Sequence, residues 1–315
     1  MNINYGMEIV RATEMAALTA ARIQGLGDHT EILNSARLAI VKSLSGLQIN
    51  GTIINDRFVS RDDTEPMPDI IGQGGPKMDL ITVALEAHHA ASEGRSNATS
   101  YAVIASEGTI HSLPNLNMYK LVVGPEVGHV VDINRSPTVN IKRVARALGK
   151  YTENVTVCIL NQERHRSLMQ EVRASGARIK LIDEGEISGC LAAITGEKAD
   201  IYIGEGHAPE GVLVAAAIKC LGGYFEGKIY YTSEQDKEEG RQHGISDFAK
   251  VFHTEDLIRS PEVSFAATGI TDGEFLEGVR FTANGAYTNS FVARAETRTY
   301  RKITTRHFFD HKPVF

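Results

Sequence analysis

The chain has 315 residues, of which 42% are hydrophobic and 23% charged. That mixture excludes wholesale disorder and supplies one large domain or two ordinary ones. A formal net charge of −6 excludes a surface built mainly to grip nucleic-acid phosphates, which demands a surplus of Lys and Arg.

In chain order, apolar residues at helical spacing (Ile9, Val10, Thr13, Ala16, Ala17, Ala20, Ile23) predict a helix over 7–23, stopped by Gly25 and Gly27. A second helical pattern runs from about Glu31 to Leu44. Short β-branched runs follow: GTIIN at 51–55, DLITVAL at 79–85, SYAVIA at 100–105 and YKLVVG at 119–124. The stretch from Asn55 to Gly75 has no clean period and reads as a long loop. Beyond Asn140 the rhythm becomes strand then helix. VTVCIL (155–160) precedes a helix through Met169 and Val172, ARIKLID (177–183) one near Ile187, and ADIYIG (199–204) the run Pro209 to Leu221. SFAAT (264–268) precedes the region after Asp272. Alternating buried strands and amphipathic helices mean an α/β layered architecture with ligands at the strands' carboxyl ends. The Pro and small polar residues of DINRSPTVN suggest two subdomains, 1–135 and 136–315. Cys158, Cys190 and Cys220 form no C-x-x-C pair, so they are expected to be reduced core thiols. No apolar run is long enough for a membrane span, and the opening residues carry acids where a signal peptide is apolar. The expectation is a cytoplasmic chain with neither membrane nor nucleic-acid partner.

Four strand-end loops stand out. GEGHAPEGV (204–212) is a Gly-rich turn whose Glu210 suits either a ligand site or the cap of a helix. ERHR (163–166) sets Arg164 and Arg166 around His165, a cluster fit for a phosphate or simply a solvated turn. DEGE (183–186) offers Glu184 and Glu186 to sugar hydroxyls, a cation or a helix N-terminus. In LEAHHAASEG (85–94), adjacent His88 and His89 cannot easily share one metal, whereas Glu86 and His89 can.

Taken in order, these strings resemble the bacterial class II fructose-1,6-bisphosphatases, some of which also hydrolyse sedoheptulose 1,7-bisphosphate. The likeness runs along the chain through EIVRATEMAAL near the start, NMY at 117–119, KLVVGPE, ILNQERH, GARIKLI, APEGVL and FAATGITDGE. It implies the layered α/β sandwich of the metal-dependent, lithium-sensitive sugar phosphatases, a place in gluconeogenic carbohydrate metabolism, and homo-oligomers. It also implies attack of water on a 1-phosphate, with Mg²⁺ or Mn²⁺ held by carboxylates.

The departures from the family pattern cluster on that metal cage. Leu33 stands at one Asp position and Arg57 at a Glu position. The D-P-I-E-G-T motif reads V-A-L-E-A-H, with Val83, Ala84, Ala87 and His88 replacing Asp, Pro, Gly and Thr. Glu86 and Glu210 remain as metal candidates, with Asp56, Asp62, Asp63 and Asp79 as possible substitutes and His88 or His89 as a replacement base. On the sugar-phosphate side, Tyr119, Arg164 and His165 match the family, Arg166 adjoins them, and Glu184 and Glu186 lengthen an Asp pair; His207 replaces a Gly. These substitutions imply a protein impaired or inactive as a phosphatase that binds a sugar phosphate in a regulatory role or as a subunit beside an active homologue. The alternatives are an active enzyme with a rebuilt cage, and an assembly protein without a ligand.

Overall fold

A computed structural model describes residues 4–54 and 68–311. Asp56, Arg57, Asp62 and Asp63 therefore lie outside the described residues. The chain forms two compact units, Met1–Ile110 with Ser260–Phe315, and His111–Arg259.

The first unit opens with α1 (Tyr5–Ala21), whose N-cap Asn4 accepts from the Met7 N–H, and α2 (His29–Leu44), capped by Asp28 through the Thr30 and Glu31 N–H groups. β1 (Asn50–Ile53), β2 (Ile70–Ile71), β3 (Lys77–Glu86), the one-turn helix α3 (His88–Ser92) and β4 (Thr99–Ser106) follow.

The second unit begins with β5 (Asn117–Val123), α4 (Pro137–Ala147), β6 (Thr156–Leu160), α5 (Arg166–Ala174) and β7 (Arg178–Ile182). It continues with α6 (Glu186–Thr195), β8 (Ile201–His207), α7 (Ala208–Leu221), β9 (Tyr224–Ile229), α8 (Glu234–Gln242), β10 (Phe252–His253) and α9 (Thr254–Leu257). The chain then returns to the first unit for β11 (Val263–Gly269), β12 (Arg280–Thr282), β13 (Gly285–Arg294) and β14 (Thr299–Phe308).

The first sheet has the order β12-β13-β11-β4-β3-β1-β2, with β14 on the other side of β13. Its pairings are antiparallel except β1 with β3. The apolar stripes of α1 and α2 (Ile9, Ala16, Ile32, Ile40) pack on Leu80, Ala102, Ile104, Ala266 and Val292, as the helical spacing requires. The second sheet has the order β10-β9-β5-β8-β6-β7, parallel only across β8-β6-β7. Leu121, Val123, Val157 and Ile201 turn one face to α4 and α5. Strand alternation turns Lys120 and Val122 to the face that carries α6 and α7.

This is the α/β class that the alternation predicted, but the division differs. The expected boundary at 135 falls inside the second unit, and the last four strands belong with the first. The Pro and polar residues read as a break are the entry to a helix, where Ser136 caps α4 and Pro137 takes its first turn. Among the described residues no α-helix follows Asp272, where a turn closed by Gly278 N–H on Asp272 Oδ1 leads into three strands. Cys158, Cys190 and Cys220 are buried and form no disulfide. Among the described residues no helix is long and apolar enough to cross a membrane.

Candidate functional site

The second unit carries a buried ionic cluster on the α6/α7 face. Lys120 sits mid-strand, opposite Gly204 on β8 and Gly227 on β9, and Gly211 of α7 leaves its side chain room, since a Cβ there would stand 3.3 Å from Lys120 Cε. Its Nζ donates to Glu186 Oε1 at 2.6 Å, with the two side chains 0% and 4% exposed. Glu210 Oε2 lies 3.9 Å from the same ammonium and accepts from the His207 N–H at 3.3 Å, so Glu210 caps α7. Gly185, in the left-handed conformation (φ 89°), opens α6 and delivers Glu186. A methyl on Gly206 would overlap the Glu186 carboxylate, which lies directly on that backbone. Burial pushes the Glu186 carboxyl up, but the Lys120 charge and the hydrogen bond Lys120 donates bring it net below the usual range. The carboxylate is therefore ionised, and its counter-charge is internal.

The predicted sugar-phosphate residues divide between the two faces of this sheet. Tyr119, one residue before Lys120, points the other way and pairs across the strands with Glu205 and Lys228. Burial pushes its phenol well above the ordinary value, helped by the neighbouring Tyr230, Glu171 and Glu205, so the hydroxyl keeps its proton. Arg164 donates to the Glu205 carbonyl at 2.9 Å and lies 4.0 Å from its carboxylate. Tyr230 also hydrogen-bonds that carboxylate.

His165, expected beside the phosphate, is buried and uses both ring nitrogens on the backbone. Its Nδ1 lies 2.9 Å from the Leu160 carbonyl, and its Nε2 accepts from the Glu205 N–H at 2.8 Å. That N–H can only donate, so Nε2 is unprotonated and the proton sits on Nδ1. Burial, chiefly, lowers its pKa and keeps the ring neutral. His165 thus ties β6 to β8. Arg166 is exposed and pairs with Glu163 at 2.7 Å, and Glu184 is half-buried. Sequence reasoning missed Lys120, whose signal is a cation inside the apolar run YKLVVG, and Glu205. It also missed two buried atoms without a hydrogen-bond partner, Gln162 Oε1 and the Tyr202 hydroxyl.

In the first unit the expected metal loops are mostly apolar. Leu33 is buried among the core residues of α1 and α2. Val83 and Ala84 are buried within β3. Glu86, at the end of β3, is buried and accepts from the Tyr101 hydroxyl at 3.0 Å. Ala87 follows in the left-handed region (φ 61°), a conformation that costs a non-glycine residue about 1–2 kcal/mol, and this accounts for the glycine in the family motif. The His88 and His89 rings are tilted by 37° with centroids 4.3 Å apart, and the His29 ring centroid lies 4.6 Å from that of His89. Burial, then the charges of His89 and His29, lowers the His88 pKa to about 4.

Asp79, considered above as a substitute ligand, does not serve. It accepts from the N–H groups of Gly108, Thr109 and Ile110 at 2.8–3.0 Å, and the seven strand residues to Glu86 span about 23 Å. Its carboxylate pins the turn after β4.

The sequence profile described as "Bacterial fructose-1,6-bisphosphatase, glpX-encoded" matches residues 3–307. The chain belongs to this family, the class II fructose-1,6-bisphosphatases. Proteins named D-fructose 1,6-bisphosphatase class 2/sedoheptulose 1,7-bisphosphatase are similar throughout. That of Synechococcus sp. (strain JA-2-3B'a(2-13)) is 32% identical over 98% of this chain and 97% of its own length. That of Gloeobacter violaceus (strain ATCC 29082 / PCC 7421) is 32% identical over the same shares. The family uses divalent metals, yet among the described residues no three His, Cys, Asp or Glu side chains form a group that could hold an ion. Among the described residues, Leu33 and Val83 offer methyl groups at positions expected to carry metal carboxylates and Glu210 faces an ammonium, a donor set that by itself does not fit a two-ion cage.

Proposed function

We propose that this class II family member binds a sugar phosphate through its second unit and is impaired or inactive as a phosphatase. The reading gives it a regulatory role, or that of a subunit in a homo-oligomer or beside an active homologue. The observation that carries it is the burial of Leu33 and Val83 as apolar residues where the family places metal carboxylates.

The binding half rests on chemistry that needs no metal. Arg164, 41% exposed, can grip a phosphate by charge-assisted hydrogen bonds. The protonated Tyr119 hydroxyl supplies a donor, and Glu205 and Glu184 supply acceptors for sugar hydroxyls. The unpartnered Gln162 Oε1, two residues before Arg164, supports a polar ligand there. His165 holds the strand ends that carry these groups, and Glu186 with Lys120 holds the start of α6.

The test is calorimetric titration of fructose 1,6-bisphosphate into metal-free protein. The expected result is saturable binding, weakened about tenfold or more by Arg164→Ala and unchanged by Mn²⁺. A silent titration favours an assembly protein without a ligand and overturns the reading.

A second reading, an active enzyme using Mg²⁺ or Mn²⁺ with a rebuilt cage, is favoured by the full-length likeness to proteins named as bisphosphatases and by the retained Glu86 and Glu210. Binding that appears only with Mn²⁺ supports it.

A further inference from the structure

At the far end of the first sheet from Glu86, a cleft of about 370 Å³ is lined by Asn4, Met7, Val292, Arg294, Thr297, Thr299 and Arg301. Two of its seven lining residues are arginines and none is an acid. Antiparallel register sets Val292 opposite Arg301 and Arg294 opposite Thr299, so the four share one face and the two arginines are diagonal neighbours. Such neighbours lie about 7–8 Å apart, within reach of one another's side chains. Two like charges on one wall repel, and an anion between them removes that cost. Among the described residues Arg294 has one carboxylate partner, Glu296 at 2.8 Å, which is 58% exposed and lines the neighbouring cleft instead. Among the described residues no ion pair engages Arg301. The Thr297 and Thr299 hydroxyls lie 2.8 Å apart and add donors, while Met7 and Val292 give an apolar floor.

We propose that this cleft is a second binding site, for a small phosphate-bearing anion, separate from the sugar-phosphate residues of the second unit. Fork-shaped guanidiniums match phosphate oxygens, and the apolar floor accommodates a short organic body. Across the sheet, Arg294 lies in register with Ser264, Ile104 and Leu80. Leu80 precedes Glu86 by six strand residues, about 20 Å. A ligand there touches none of the expected catalytic positions, so the site is one for an effector.

The test is ³¹P NMR titration of the full-length protein with inorganic phosphate and, separately, phenyl phosphate. The same titrations are run on Arg301→Gln, Arg301→Lys and Arg164→Gln, with thermal melts confirming that each variant is folded. The expected result is a site that Arg301→Gln weakens about tenfold, that Arg301→Lys largely retains, and that Arg164→Gln leaves intact. Tighter phenyl phosphate identifies an organic phosphate as the ligand class, and equal or tighter inorganic phosphate identifies the free ion. Equal binding by wild type and Arg301→Gln, or loss of all binding in Arg164→Gln, overturns the proposal, as does an absence of binding.

Discussion

The two units treat the same family pattern in opposite ways. In the first, Leu33 and Val83, which the resemblance implies stand at metal-carboxylate positions, are buried apolar residues. In the second, acids are present, and Glu186 and Glu210 share the ammonium of Lys120. A site loses its charge either by substitution or by internal pairing, and the two routes leave different vulnerabilities. The apolar half tolerates no added charge. The ionic half tolerates no lost partner.

The largest effect is expected on the ionic side. Lys120→Met strands two carboxylates without their cation and costs about 3–5 kcal/mol of folding stability, measured by urea denaturation. A near-neutral result would show that water or a shared proton already supports Glu186. Val83→Asp makes the converse change on the apolar side and costs about 2–4 kcal/mol. If Mn²⁺ restores the melting temperature of that variant and not of the wild type, the old cage is latent and the contrast between the units weakens.

Acid should act next, through His88. Its pKa is near 4 in the folded protein and near 6.5 when unfolded, so between those values the unfolded chain binds more protons. Stability is therefore full above about pH 6.5 and falls as pH drops toward 4. His88→Gln should flatten that part of the stability–pH curve, and an unchanged slope removes the histidine cluster from the account. The smallest effect belongs to Ala87→Gly, which relieves the left-handed backbone at the end of β3 and should stabilise by up to about 1 kcal/mol. A loss of stability instead would mean that the Ala87 methyl, buried in the core, is worth more than the strain.

Much of the fold was legible because period and punctuation coincide. The stripes of α1 and α2 and the strand–helix alternation from Val155 to Leu221 appear where the spacing predicts them. The division into units was not legible, since a chain that leaves a sheet and returns 150 residues later keeps no local record of that closure. The β12–β14 meander escaped although Asn284–Gly285 sits between β-prone runs, because the strand–helix rhythm dominated the reading. The contacts of candidate residues were less legible than the elements. His165 looks like a phosphate ligand in ERHR, yet one of its two backbone bonds is to Glu205 of β8, forty residues away. Asp79 looked available for the same reason: the three N–H groups that occupy it belong to the turn after β4.

The central claim is that the altered carboxylate positions leave the hydrolytic centre impaired. Phosphate release from fructose 1,6-bisphosphate, followed with purified protein in Mn²⁺ and separately in Mg²⁺, tests it most directly. The account predicts release no faster than with the metal alone. Sustained turnover that disappears in Glu210→Gln contradicts it.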